Sequence, residues 1–351
     1  MAVRTFRCAS CEQLVFFANS VCLQCGTALG FVPEAQELIS LLPAGDGTWN
    51  RADGGPGRFR NCANLQLARC NWLLAADDPE ALCRSCRLTS VRPNDDEDAA
   101  IEAFADAEDA KRRLLAQLTD LGLSVIDRQQ DPDAGLTFEF LSSRNRRVVT
   151  GHEGGVITLD LSESDDAHRE FVRQQLGEPY RTVLGHLRHE IGHYFWPHIV
   201  ERTSLLGEFR DLFGDERQSY EDAMSDHYGG DAPQGWSETY VSQYATMHPW
   251  EDWAETFAHY LHIQGGLHTA DAFGITVGEP SRSAGESAWS ASGPVSIGAT
   301  VGRWLAVTVA LNAMSRSIGQ GDLYPFVLSP NVVRKLDFVH RAVESATVSS
   351  A

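Results

Sequence analysis

Residues 189–193 read His189-Glu190-Ile191-Gly192-His193, inside the run VLGHLRHEIGHYFWP that ends at Pro197. At 3.6 residues per turn, histidines four apart sit about 40° from each other around a helix, so both imidazoles reach one ion while Glu190 addresses its bound water. The pattern alone would arise by chance in roughly one chain in a hundred of this length, so its surroundings decide its meaning. Tyr180, Val183, Leu184, Leu187, Ile191 and Phe195 recur at helical spacing, Glu178-Pro179 supplies a start and Pro197 a stop. This spacing predicts a helix over 179–196 that buries one face and turns His189 and His193 toward a cleft.

A catalytic zinc needs a third protein ligand and an open position for water. His198 follows the proline out of register with the pair and is a poor ligand. A better source is the run from His248 to His259, HPWEDWAETFAH. Pro249 can open a helix there, and Glu251 and Glu255 are then one turn apart on one face. One carboxylate can bind the metal while the other orients a histidine ligand. Trp250, Trp253 and Phe257 predict a buried helix, in which unpaired carboxylates would be costly. His186, His259 and His262 lie near these motifs and read as core or rim histidines.

The eight cysteines form two quartets. Cys8-x-x-Cys11 and Cys22-x-x-Cys25 have the spacing by which two tight knuckles place four thiolates around one tetrahedral zinc, and Gly26 gives the second knuckle a permissive backbone. Cys62, Cys70, Cys83 and Cys86 contain a single CxxC pair and make a second site of the same kind, with free buried thiols as the alternative. Disulfides require an oxidising compartment. Cys8 and Cys11 interrupt the stretch where a signal peptide would need its apolar core, so the expected location is cytoplasmic.

At 351 residues and 43% hydrophobic content the chain can bury a substantial core. Its formal charge is -19, yet residues 1–93 hold nine arginines against eight acidic groups, which leaves -20 on the remainder. Nucleic acid is a poor partner for that larger part. Arg7, Arg69, Arg84 and Arg87 lie beside cysteines, where they offset thiolate charge or bind phosphate. The most apolar stretch, Trp304 to Met314, is too short to span a bilayer and reads as a core helix, so no membrane partner is expected.

The fold class expected is α+β: a small four-cysteine zinc-ribbon β region over residues 1–92, then a mainly helical domain with a small sheet over 93–351 that carries the histidine pair. The acidic run from Asn94 to Asp98 opens a helix that Gly122 closes. Strands follow between Leu136 and Leu161. Val156 to Leu161 reads either as an edge strand that could bind a substrate backbone or as an ordinary packed strand. Further helices are expected at about 167–175, 216–227, 249–264, 301–317 and 331–348, with a Gly/Ser-rich loop over 278–298.

The pattern Glu251-x-x-Ala254-Glu255 resembles the second helix of the gluzincins, and by position this implies that Glu251 is the zinc ligand and that Glu255 hydrogen-bonds His189. Tyr244 stands where anthrax lethal factor-like peptidases hold a tyrosine facing the zinc, which implies a hydroxyl aimed at the developing oxyanion. Tyr240 is an alternative, and a structural tyrosine is a third reading. The chain also carries the two quartets, HEIGHYFW, the phrase Phe213-Gly214-Asp215-Glu216-Arg217, HPWEDWAETFAHYLHI and the run from Tyr324 to Ser329. Together these make nearly its whole length resemble the bacterial zinc-binding metallopeptidases with an N-terminal zinc ribbon.

The resemblance implies a zincin-like domain and a zinc-dependent peptidase acting on a peptide or protein. His189, His193 and Glu251 would hold the catalytic Zn2+, Glu190 would be the general base, and the two cysteine quartets would hold two structural Zn2+ ions. The alternative is a catalytically inactive, zinc-stapled protein-interaction module. Oligomeric state is not legible.

Overall fold

The computed structural model describes residues 4–144, 148–165, 168–170, 181–230, 233–278 and 297–349. The helix start expected at Glu178-Pro179, most of the 167–175 helix and nearly all of the 278–298 loop lie outside these residues. The chain divides into two compact units, with the division falling inside the HExxH helix. One takes in the described residues up to 170 together with 181–187, and the other runs from 188 onward.

The first unit opens with a hairpin, β1 (Thr5–Arg7) and β2 (Leu14–Phe16). An antiparallel sheet follows in sequence order: β3 (Ala28–Val32), β4 (Glu37–Pro43), β5 (Trp49–Arg51), β6 (Arg58–Asn61) and β7 (Leu73–Ala75). Phe17, Phe31 and Trp72 pack between these pieces, with the Phe17 and Phe31 rings 4.7 Å apart. Val32, Ile39, Leu41 and Leu73 add a second small apolar cluster within the sheet, and cores of this size suit a region stapled by metal.

A one-turn helix α1 (Arg84–Arg87) leads through β8 (Thr89–Val91) to the 23-residue helix α2 (Asp98–Asp120). Gly122, at φ 71°, closes α2 as expected. On its buried face Lys111 pairs with Glu108 at 2.6 Å, both side chains fully buried, and the ammonium lies 5.3 Å from the centre of the Phe138 ring. Phe138 sits in β9 (Thr137–Leu141) of a second sheet, ordered β10 (Gly151–Glu153), β11 (Val156–Asp160), β9, β8.

The edge-strand reading of Val156 to Leu161 is overturned by this order. β11 pairs antiparallel with β10 and parallel with β9, so over Val156–Thr158 both of its flanks are already used. Ile157 and Leu159 are fully buried, which makes β11 a packed interior strand. Over that stretch β11 has no free edge to which a substrate backbone could add.

The second unit is built from helices. They are α3 (Val183–Trp196), whose first turn belongs to the first unit, α4 (Leu206–Phe213), α5 (Tyr220–Gly229), α6 (Pro249–Ala272), α7 (Ile297–Ser317) and α8 (Pro330–Ser349). Pro197 does not stop the chain after α3; a wide π-helical turn runs on from Pro197 to Glu201. That turn absorbs the missing proline N–H, which an α-helical continuation would not. An aromatic cluster of Phe209, Phe213, Trp253 and Phe338 ties α4, α6 and α8 together.

Helix α7 departs from the expected core helix. It is long and apolar enough to cross a membrane by length and composition, with a mean hydropathy of 1.3 over its most apolar window, of which a third is buried. Trp304, Val301 and Val307 face the core, while Val309 and Met314 are exposed.

Candidate metal centre

Helices α3 and α6 cross at a point where neither has bulk. A Cβ on Gly192 would lie 3.1 Å from the Ala254 Cα, so glycine and alanine let the two backbones approach closely. The Trp253 indole N–H donates to the Gly192 carbonyl at 2.8 Å and pins the crossing. Leu187, Ile191 and Phe195 are buried on one side of α3, as their spacing predicts, and His189 and His193 project from another. Helix α6 starts where Pro249 was expected to open it. His248 is the N-cap: its Nδ1 accepts the Trp250 N–H at 3.1 Å, and its Nε2 donates to the Gln218 carbonyl at 3.3 Å.

This crossing brings the sequence-predicted donors together. Glu251 Oε2 lies 2.9 Å from His189 Nε2, Glu251 Oε1 lies 3.4 Å from His193 Nε2, and the two Nε2 atoms are 3.2 Å apart. One donor atom from each of the three residues fits within 4.8 Å of the others. Glu255 Oε1 lies 2.7 Å from His189 Nδ1, the partner position that the gluzincin resemblance implies. Two imidazoles and a carboxylate are a donor set of hydrolytic zinc.

The electrostatics call for a cation at this point. Glu251 is 2% exposed, and among the described residues its ion pairs are with His189 and His193 rather than with a lysine or arginine. Burial opposes charge on His189, yet the hydrogen bonds and fields of Glu251 and Glu255 outweigh it and raise its pKa well above the ordinary value. A proton held there supplies the positive charge that a metal ion would bring. Burial likewise opposes ionisation of Glu251 and Glu255, but the histidines hold Glu251 well below the usual range and Glu255 at about 2. Glu190 behaves oppositely: burial raises its pKa despite the nearby histidines.

Tyr244 approaches the site, its ring 5.8 Å from that of His189. Burial, with the field of Glu251 beside it, raises its pKa. Tyr240 goes elsewhere: its ring lies 4.3 Å from Lys335 Nζ, which pairs with buried Asp252. His198, in the π-helical turn, packs against Tyr194 of α3 with 5.1 Å between ring centres, outside the donor cluster. His186 lies 3.8 Å from Glu163, His259 bonds the Tyr324 hydroxyl at 2.7 Å, and His262 packs against Trp304.

Sequence reasoning missed Tyr220. Its hydroxyl donates to Glu251 Oε1 at 2.9 Å, across a gap of 31 residues. No periodicity links the first turn of α5 to the first turn of α6, so the only sequence signal was an aromatic residue behind the helix-capping Ser219.

The cysteines gather as their spacing predicts, four and four. Cys8 and Cys25 sulfurs are 3.6 Å apart, as are Cys11 with Cys22 and Cys70 with Cys83. That is too far for a disulfide bond and close to the edge of about 3.8 Å that Zn–S bonds of about 2.3 Å give a tetrahedron. In the first quartet Gly26, at φ 75°, turns the second knuckle, and its N–H donates to the Cys22 carbonyl at 2.8 Å. The second quartet is wholly buried, with Cys86 Sγ 3.9 Å from Glu108 Oε2 on α2.

Comparison with known proteins places both regions. Residues 5–97 match a zinc-ribbon domain, and residues 100–342 match the family described as "Putative zinc-binding metallo-peptidase". Uncharacterized proteins of Mycobacterium tuberculosis and Mycobacterium bovis are each 46% identical over 343 residues, covering 97% of this chain and 96% of the relative. No solved structure matches the chain. With a zinc donor set built on two crossing helices inside the matched region, the chain belongs to this zinc-binding metallo-peptidase family and carries a zinc ribbon ahead of it.

Proposed function

We propose that the protein is a zinc-dependent peptidase, with the catalytic ion held by His189, His193 and Glu251. The observation that carries this reading is the meeting of Glu251 with both imidazoles, at 2.9 and 3.4 Å. The bound ion would polarise the scissile carbonyl and lower the pKa of a water molecule. Glu190 would take the proton from that water and pass it to the leaving amine, and burial, which raises its pKa, makes it a stronger base. Glu255 orients His189 through Nδ1 and leaves Nε2 for the metal. Tyr244, kept protonated by burial, donates its hydroxyl to the oxygen on which charge develops.

The two cysteine quartets hold two further zinc ions with structural roles, three in all. A closed four-thiolate shell has no place for substrate. Glu190→Gln tests the assignment: zinc content stays at the wild-type level and hydrolysis of a peptide library disappears. Retained turnover would reject Glu190 as the base. Unchanged partner capture with no cleavage by the wild-type protein would reject the peptidase itself.

A further inference from the structure

We infer that Tyr220 holds Glu251 to the metal through one carboxylate oxygen, and so keeps a coordination corner open for water. The inference rests on the reading of this site as a catalytic zinc centre. A glutamate can bind zinc through one oxygen or chelate it through both, and chelation takes up a position that a reacting water needs. Both oxygens of Glu251 face the imidazole pair, Oε2 toward His189 and Oε1 toward His193. Distance alone therefore permits either mode. The Tyr220 hydroxyl breaks this symmetry by donating to Oε1 at 2.9 Å, and no hydroxyl bond of that kind engages Oε2 among the described contacts. A hydrogen bond to an ionised carboxylate is stronger than a neutral one and withdraws the electron pair it engages from metal binding.

The phenol is held where it can do this. Its ring packs 5.3 Å from His248 and 6.4 Å from Trp250, at the start of the helix that carries Glu251. The Ser219 side chain caps α5 by accepting the Asp222 N–H at 3.2 Å, and the His248 bond to the Gln218 carbonyl ties the start of α5 to the start of α6. Tyr220 is thus a positioning residue that acts through Glu251.

The test is Tyr220→Phe in the full-length protein, a change that removes one oxygen and keeps the ring. Cobalt(II) is exchanged into the catalytic site while both cysteine quartets keep zinc, and the difference spectrum against the all-zinc protein is recorded. Absence of intense thiolate-to-cobalt bands verifies that cobalt occupies the histidine site. The wild-type protein should show the strong visible absorption of a four-coordinate ion, and Tyr220→Phe the weaker bands of a five-coordinate one. Alongside this, kcat should fall with KM little changed, and the acid limb of the rate profile should move to higher pH. Identical four-coordinate spectra would overturn the role of Tyr220 while leaving the three-ligand site standing. Five-coordinate spectra in both proteins would overturn it too. Failure of the wild-type protein to take cobalt at that site would overturn the metal-centre reading on which the inference rests. If Tyr220→Phe does not fold, the wild-type site still decides: a crystal structure of the zinc-loaded protein with Glu251 Oε2 on the metal and Oε1 on the Tyr220 hydroxyl supports the inference, and chelation by both oxygens would overturn it.

Discussion

His189 is gripped from both ring nitrogens, by Glu251 at Nε2 and by Glu255 at Nδ1, and that pair of carboxylates fixes the rotation of its ring. One helical turn beyond Glu255, His259 is buried against Phe326 and bonded to Tyr324, and burial lowers its pKa to about 4. In the unfolded chain a histidine titrates near 6.5. Above that pH neither state is protonated there and the residue contributes nothing to the pH dependence. As pH falls from about 6.5 to about 4, the unfolded chain takes up a proton that the folded one refuses, and stability is lost, by roughly 3 kcal/mol in full. His262, lowered by burial to about 3, adds a loss of the same sign. In His259→Gln, the pH slope of urea-unfolding stability between pH 6.5 and 4.5 should shrink by about one proton; an unchanged slope would show that His259 is protonated in the fold. The meeting of His189 and His193 with a carboxylate from the 248–259 run was legible in spacing, and the resemblance to the gluzincins implied which of Glu251 and Glu255 would lie where. Tyr220 was not legible, because its contact with Glu251 depends on how two helices meet.

At the scale of elements, the small residues carry information that periodicity hides. The expected end of the ligand helix at Gln264 falls just before Gly265-Gly266, yet α6 runs on to Ala272. A Cβ on Gly266 would lie 2.3 Å from the Trp304 ring, so this glycine makes room for α7 and does not end α6. Helix α4 was missed because eight residues give too short a pattern, and α5 was placed four residues early because Ser219, not the acidic residues before it, caps the helix. Gly192 is the position where element packing and the site meet. Gly192→Val adds three carbons against Ala254 Cα at 3.1 Å and Phe257 Cβ at 3.3 Å, and should destabilise the fold by about 1–3 kcal/mol. It should also weaken metal binding at the histidines, because it pushes α3 away from Glu251. Unfolding and zinc titration check both effects, and a variant with normal stability and affinity would contradict the close crossing.

Across the whole molecule, the α+β reading holds: strands and cysteines come first, helices with a small sheet follow. The family models divide between residues 97 and 100, close to the expected boundary at 92, whereas the compact units divide between 187 and 188. The difference arises because α2 buries charged Glu108 and Lys111 beside the second cysteine quartet, and β8 pairs with β9, so the ribbon and the first third of the matched peptidase region share one core. That long-range pairing has no signature in local sequence. The central claim concerns a single point in the second unit, where donors 58 residues apart share one ion. It is tested most directly by anomalous diffraction at the zinc edge from crystals of the zinc-loaded protein. The account predicts a peak about 2.0–2.2 Å from His189 Nε2, His193 Nε2 and a Glu251 oxygen, together with one peak inside each cysteine quartet. Peaks confined to the cysteines, with no metal between the histidines and Glu251, would contradict it.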